Sequence, residues 1–171
     1  MSIEEEFKKA DAVLVVEING EETLTAHGLD CGVRYTGSVR ATFKHSMIRG
    51  NDVTFGRYTG LAPRKRYLLF LSYIADPVAH YETLRIEHDL PTEPPEEKKI
   101  TIERIKCQGT IPGLVYAAQA AWEVKLNYVV VSGIRPVMPD HIGISSVGPL
   151  EWLVNKEDLF SYLRSLAAKP G

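Results

Sequence analysis

Arg34-Tyr-Thr-Gly-Ser-Val-Arg-Ala-Thr-Phe-Lys44 alternates over its whole length. Tyr35, Gly37, Val39, Ala41 and Phe43 take one set of positions. Arg34, Thr36, Ser38, Arg40, Thr42 and Lys44 take the other, so every charge falls on one side. A period of two with the apolar set on one face predicts a half-buried antiparallel strand. A second stretch, Tyr67-Leu-Leu-Phe-Leu-Ser-Tyr73, is apolar almost throughout and is expected to lie deeper.

The remaining segments read as what completes a sheet around these two. Ser2 followed by Glu5 is a capping-box pattern, and Ile3, Phe7 and Ala10 share a helical face, predicting a short N-terminal helix. Ala12-Val-Leu-Val-Val-Glu-Ile18 is a β-branched strand. Asn19-Gly20 is a two-residue hairpin signal that would return the chain over residues 21–26. Residues 27–32 read as loop. The alternating strand extends to Met47 at most, residues 49–52 turn, and residues 53–58 form another strand with Gly56 at a bulge. Residues 60–66 turn into the strand at Tyr67, which Asp76-Pro77 breaks. Residues 86–99 contain three prolines and many charges and are expected as a long exposed loop.

Beyond that loop, residues 100–107 read as strand and 110–113 as turn. Residues 114–121 stay open between helix and strand: Ala117, Ala118, Ala120 and Ala121, with Gly113 as N-cap, favour helix. Residues 122–131 alternate, with Trp122, Val124, Leu126, Tyr128 and Val130 on one face. Arg135-Pro136 and Met138-Pro139-Asp140 mark an irregular loop, followed by short strands over 142–147 and 150–154. Asn155 is a good N-cap for a C-terminal helix whose Leu159, Phe160, Leu163, Leu166 and Ala167 form one stripe to pack on the sheet.

A chain of 171 residues, 44% apolar and 25% charged, fits one globular domain over 1–171. The net charge of −2 gives no overall bias towards nucleic acid or anionic membrane. The charge is unevenly spread: −6 over residues 1–32, +7 over 33–70, −4 over 71–99 and +1 over 100–171. Either the acidic and basic segments lie side by side and neutralise each other, or the basic one forms a functional surface. No run approaches the roughly 18 apolar residues of a membrane-spanning helix. The acidic start, Met1-Ser-Ile-Glu-Glu-Glu6, holds no signal-peptide core. The compartment is open: extracytoplasmic if a leader has been removed, cytoplasmic otherwise. Cys31 and Cys107 form one bridge if their Cα atoms lie about 4.4–6.8 Å apart, and are free buried thiols otherwise.

Four features in order carry a resemblance: Ala10-Asp11-Ala12-Val13-Leu14-Val15-Val16, the strand from Tyr35 to Lys44, the turn and strand over 52–58, and Arg66-Tyr-Leu-Leu-Phe-Leu71. Together they resemble the netrin-like module of the tissue inhibitors of metalloproteinases and its bacterial relatives, over roughly residues 2–75. The resemblance implies a mainly β, OB-like antiparallel barrel with a short N-terminal helix and a C-terminal α-helix packed on it. The inhibitors chelate zinc with an N-terminal cysteine. This chain begins Met1-Ser2-Ile3, so that mechanism does not carry over, and no activity follows from the fold alone.

No catalytic or metal motif stands out, and neither a metal nor a cofactor is expected. The five histidines, His27, His45, His80, His88 and His141, are scattered, and no CxxC or HExxH occurs. Ser145 has a glycine two residues before it but none two after, so it lacks the nucleophile elbow. Cys31 has only Arg34 near enough to lower its pKa. The acidic residues read as solvated charge. The expected function is a non-enzymatic binding module that engages a protein or small ligand by its barrel face and loops, with Arg34, Arg40, Lys44 and Arg57 as candidate ligand-binding residues. Arg64-Lys65-Arg66 reads as an ordinary basic turn. Single-stranded nucleic acid is the second expectation, disfavoured because Tyr35 and Phe43 point away from the cations that would need stacking platforms beside them. An enzyme site assembled from His27, His141 and Ser145 is the third. The loop from Ile134 to His141 is chemically mixed and reads as packing over the barrel end, or as a recognition surface.

Overall fold

The structure, a computed structural model, describes residues 1–26, 28–44, 50–56, 60–109 and 116–169. In chain order these form α1 (Ile3–Lys9), β1 (Ala12–Ala26), β2 (Leu29–Lys44), β3 (Asp52–Gly56), β4 (Arg66–Tyr73), α2 (Pro77–Glu87), α3 (Pro95–Gly109), β5 (Tyr116–Val124), β6 (Tyr128–Ser132), β7 (Ile144–Gly148), β8 (Glu151–Asn155) and α4 (Lys156–Ala168). The strands make one mainly antiparallel sheet in the order β3-β2-β1-β4-β5-β6-β8-β7. A single parallel bridge, Gly56 to Ala117, links β3 and β5, and the sheet as a whole is not closed. No helix among the described residues is long and apolar enough to cross a membrane.

β1 pairs with β2 on one side and β4 on the other. Its residues alternate between two cores. Val13 and Val15 join Leu68, Phe70 and Trp122 beneath α1 and α4. Ala12, Leu14, Val16 and Ile18 join Leu69, Leu71, Tyr35 and Phe55 on the opposite side. A strand covered on both faces has no reason to alternate, which accounts for the near-continuous apolar runs of β1 and β4. Both buried tyrosines of the second core keep their hydroxyls partnered: Tyr67 accepts from the Ala62 amide at 2.9 Å and Tyr35 from the Leu61 amide at 3.4 Å.

The helices flanking the sheet follow their local signals. Ser2 and Glu5 form the full capping box, with Ser2 N–H donating to Glu5 Oε2 at 2.7 Å. Asn155 Oδ1 accepts from the Asp158 amide at 2.9 Å, and α4 buries Leu159, Phe160, Leu163 and Leu166.

Several expectations are corrected. Asn19-Gly20 makes no hairpin. β1 runs through it, with Ile18 opposite Gly37 and Gly20 opposite Thr36, so Asn19 is an extra residue in the ladder and its side chain donates to Ser38 Oγ at 2.7 Å. The primed hairpin turn needs positive φ. It is Gly28, with φ 76°, that lies where the chain reverses. The expected loop over 27–32 is therefore mostly strand: β2 starts at Leu29, and Gly32 (φ 99°) with Cys31 marks a ladder irregularity.

The expected loop over 86–99 is confined to residues 88–94, between two helices, and the strand expected over 100–107 is helix. Asp76 caps α2 by accepting from the Val78 and Ala79 amides, both at 3.1 Å, with Pro77 at the first turn. α3 opens on Pro95, with Glu96 and Glu97 in its first turn. The alternation of Ile100 and Ile102 misleads because good helix formers surround it. The strand expected over 122–131 is two strands: the Lys125 amide donates to Tyr128 O at 2.8 Å, Leu126 is 84% exposed at the hairpin tip, and Val129 and Val131 are buried. In the segment left open, residues 116–121 are strand. Small Ala120 and Ala121 sit opposite large Phe70 and Leu69, so packing overrides helix propensity. The continuations expected at 45–49, 57–58 and 110–115 lie outside the described residues.

Cys31 of β2 and Cys107 of α3 are joined, with Cα atoms 5.9 Å apart, and with Leu24 they form a small third core. α2 has no buried residue, and Cys107 is the buried side chain described in α3. The helical pair therefore hangs on the sheet largely through this bridge.

Gly37 tests the closeness of β1 and β2. A Cβ there would lie 2.3 Å from Val16 Cγ1 and 2.7 Å from the Glu17 carbonyl oxygen. Val16 is fully buried and the backbone oxygen is fixed in the ladder. Gly37→Ala is expected to lower the unfolding free energy in urea by about 1–3 kcal/mol, as overpacking does. Unchanged stability would show that the two strands are not this close.

Candidate functional site

The cations singled out on β2 are brought into one row, and each described one is already engaged. Arg34 is ion-paired with Glu22, its cross-strand neighbour on β1. Arg40 Nη2 lies 2.8 Å from Glu17 Oε2, and Arg66 Nε of β4 lies 3.2 Å from Glu17 Oε1. Lys44 Nζ donates to the carbonyls of Phe7 and Lys8, each at 3.0 Å, so it caps the negative end of α1. It also lies over the Phe7 ring. Arg57 lies outside the described residues. Two carboxylates of the acidic first segment, Glu17 and Glu22, thus pair with three arginines of the basic second one.

Hydrogen bonds from Arg40 and then Arg66, reinforced by their charges, hold the Glu17 carboxyl below the usual carboxylate range. In the adjoining part of the sheet, burial works to raise the Glu123 carboxyl, and the hydrogen bonds and charges of Lys125 and Lys65 together overcome it and lower it.

The aromatic residues of the alternating strand are buried, but in different cores. Arg40 is an extra residue in the ladder, between Ala41 opposite Val15 and Val39 opposite Val16. This shifts the phase, so Tyr35 stacks on Phe55 at 5.5 Å while Phe43 packs edge-on to Phe160 of α4 at 5.0 Å. Neither stands beside the cations as a platform for a nucleic-acid base.

The other candidates are apart or outside the described residues. His80 lies within α2, and His88 forms its C-cap. His141 rests edge-on against Tyr162 at 5.7 Å, and Ser145 is exposed on β7. His27 and His45 lie outside the described residues. Among the described residues no three His, Cys, Asp or Glu side chains gather as a metal site.

Two surface features remain. Between α2 and α3 a cavity of about 460 Å³ is lined by Tyr81, Arg85, Ile86, Leu90 and Glu93, among others. Its polar groups lock together: Tyr81 Oη and Arg85 Nη1 both donate to Glu93 Oε1, at 2.6 and 2.8 Å, and Arg85 also reaches Pro91 O. The hydrogen bond to Glu93 pushes the Tyr81 phenol up. This cluster fastens the 88–94 connection to α2.

The second feature is the far end of the sheet, which sequence reasoning only brushed. Pro136 is buried and Met138 packs against the α4 core, so this part of the irregular loop covers the sheet; Ile142, expected to begin a strand, is buried just before β7. Ile134 is 96% exposed and joins exposed Val147 and Leu150 around one tip, where the Gly133 amide donates to Leu150 O at 2.9 Å. Composition alone could not find this tip, because an exposed isoleucine in sequence looks like a buried one.

The Glu17 cluster predicts a pH dependence. A carboxyl with a lowered folded pKa stabilises fully above its unfolded value, about 4.3, and loses that contribution as pH falls through the folded value. Glu17→Gln is expected to be less stable than the parent at neutral pH, with the gap closing in acid. A gap that persists at the lowest pH would mean that the charge pairs are not its source.

No family model, curated protein or solved structure matches the chain.

Proposed function

We propose that the chain is a non-enzymatic binding module on an OB-like barrel of the netrin-like type. It engages a protein partner through the loops beside the barrel. Support for the barrel comes from the strand order β3-β2-β1-β4-β5, in which the parallel bridge between Gly56 and Ala117 brings the first and last of five strands together around the Tyr35–Phe55 core. The features that carry the resemblance fall on β1, β2, β3 and β4, in order.

The observation that carries the binding function is the exposed apolar tip of Ile134, Val147 and Leu150. Scattered exposed apolar side chains need no explanation, but neighbouring ones at the end of a sheet mark interaction surfaces. The barrel-face row of Arg34, Arg40 and Lys44 is occupied by internal partners, so the recognition surface moves from strand β2 to the loops.

Immobilised protein challenged with an extract of its native cells separates the two surfaces. The double variant Ile134→Asp/Leu150→Asp is expected to lose whatever the parent retains specifically, and Arg40→Glu to retain it. Loss with Arg40→Glu and retention with the double variant would return recognition to the basic strand and overturn the assignment to the tip.

A further inference from the structure

Among the described residues the sheet ends at β7, Ile144-Ser-Ser-Val-Gly148, whose strand partner is β8. The Asn155 amide donates to Gly143 O at 2.7 Å. Ladder hydrogen bonds alternate along an antiparallel pair. With Ile144 opposite Val154 and Ser145 opposite Leu153, this bond makes Ser145 the residue bonded to β8 and turns the N–H and C=O of Ile144 and Ser146 outward. The strand carries no charge and no proline, two of the devices that blunt an edge; its shortness and the irregularity at Val147 limit the edge to Ile144–Ser146. The apolar tip of Ile134, Val147 and Leu150 adjoins it.

We infer that β7 is a strand-addition site for an extended segment of a partner protein, apolar at alternate positions and flanked by basic residues. The inference rests on the binding-module reading and names the partner's form. Strand addition supplies main-chain hydrogen bonds at Ile144 and Ser146, while alternate side chains reach the tip. Charge sets the flanks. Asp140, Glu151 and Glu157 are exposed around the edge and have no ion pair among the described residues. Two cations lie nearby: Lys156 donates to Leu126 O and lies over Phe160, and Arg135 lies over the Trp152 ring, so the acidic side chains outnumber them. Size argues against a second copy as the occupant. A stable dimer needs about 800 Å² from each partner, and five residues with a ladder irregularity between Ser146 and Gly148 offer a short edge.

The test uses the whole protein and a dansylated Arg-Val-Thr-Val-Ser-Arg peptide, followed by fluorescence anisotropy. Saturable binding is expected. Ser146→Pro, which removes an outward N–H, and Ser146→Lys, which places a cation on the exposed edge, are each expected to weaken it about tenfold, the worth of one or two backbone hydrogen bonds. Replacing both probe arginines by glutamate is expected to weaken it similarly. Ser146→Lys should unfold at the parent's urea midpoint, which keeps the test valid if the proline variant misfolds. No saturation up to about 1 mM, beyond the weakest useful affinity, overturns the inference, as does equal binding by Ser146→Lys. A parent dimer in sedimentation that Ser146→Lys dissociates would seat a second copy on the edge and also overturn it. If the peptide fails while Ile134→Asp/Leu150→Asp still abolishes specific capture, strand addition falls and the binding module stands. If both fail, both fall.

Discussion

Everything in this fold leans on β1 being covered on both faces. Residues 12–18 send alternate side chains into two cores, one beneath α1 and α4 and one around Tyr35 and Phe55. Each fully buried valine, leucine or isoleucine contributes about 1.5–3 kcal/mol relative to exposure. A strand apolar at nearly every position therefore concentrates stability in the middle of the sheet. β2 and β4 are its hydrogen-bonded neighbours, so their register is set by β1. The approach at Gly37, where no Cβ fits, follows from the same arrangement.

The β1–β2 ladder departs from regularity at four points. Asn19, Cys31, Arg40 and Phe43 are each passed over in the β1–β2 pairing. Such extra residues re-aim side chains. The one at Cys31 lies at the bridge to α3, and the one at Arg40 separates Tyr35 from Phe43. The basic face created by β2 is met by Glu17 and Glu22 from β1 and by the end of α1, so the most conspicuous charge in the sequence is spent within the molecule. At the opposite end of the sheet β7 itself carries no charge.

The parts legible in the sequence were those whose signal is local. The capping box at Ser2, the N-cap at Asn155, the stripe of α4 and the strand alternation of β2 all depend on neighbours a few residues away. The misread parts depend on distant ones. Asn19-Gly20 is a turn signal only where the chain is free to turn, and the long β1–β2 ladder carries it straight. Ile100 and Ile102 alternate as in a strand, but they sit among Lys, Glu and Arg that favour a helix, and a bridge from Cys31 anchors it. Residues 122–131 alternate on both sides of a hairpin, which hides the tip at Leu126. The row of Arg34, Arg40 and Lys44 was visible as a row. Its partners were not, because Glu17 meets Arg40 and Arg66 only once three strands are side by side.

Two structural levels follow: a sheet centred on β1, and a helical pair, α2 and α3, that the Cys31–Cys107 bridge holds against it. Amide hydrogen exchange resolves them directly, since protection reports local opening free energy. In a Cys31→Ala/Cys107→Ala variant, the account predicts that Val13, Leu14, Val15 and Val16 remain the slowest-exchanging amides, while those of α2 and α3 approach unfolded rates. Loss of protection in β1 as complete as that in α2, or helices as protected as in the parent, would contradict it.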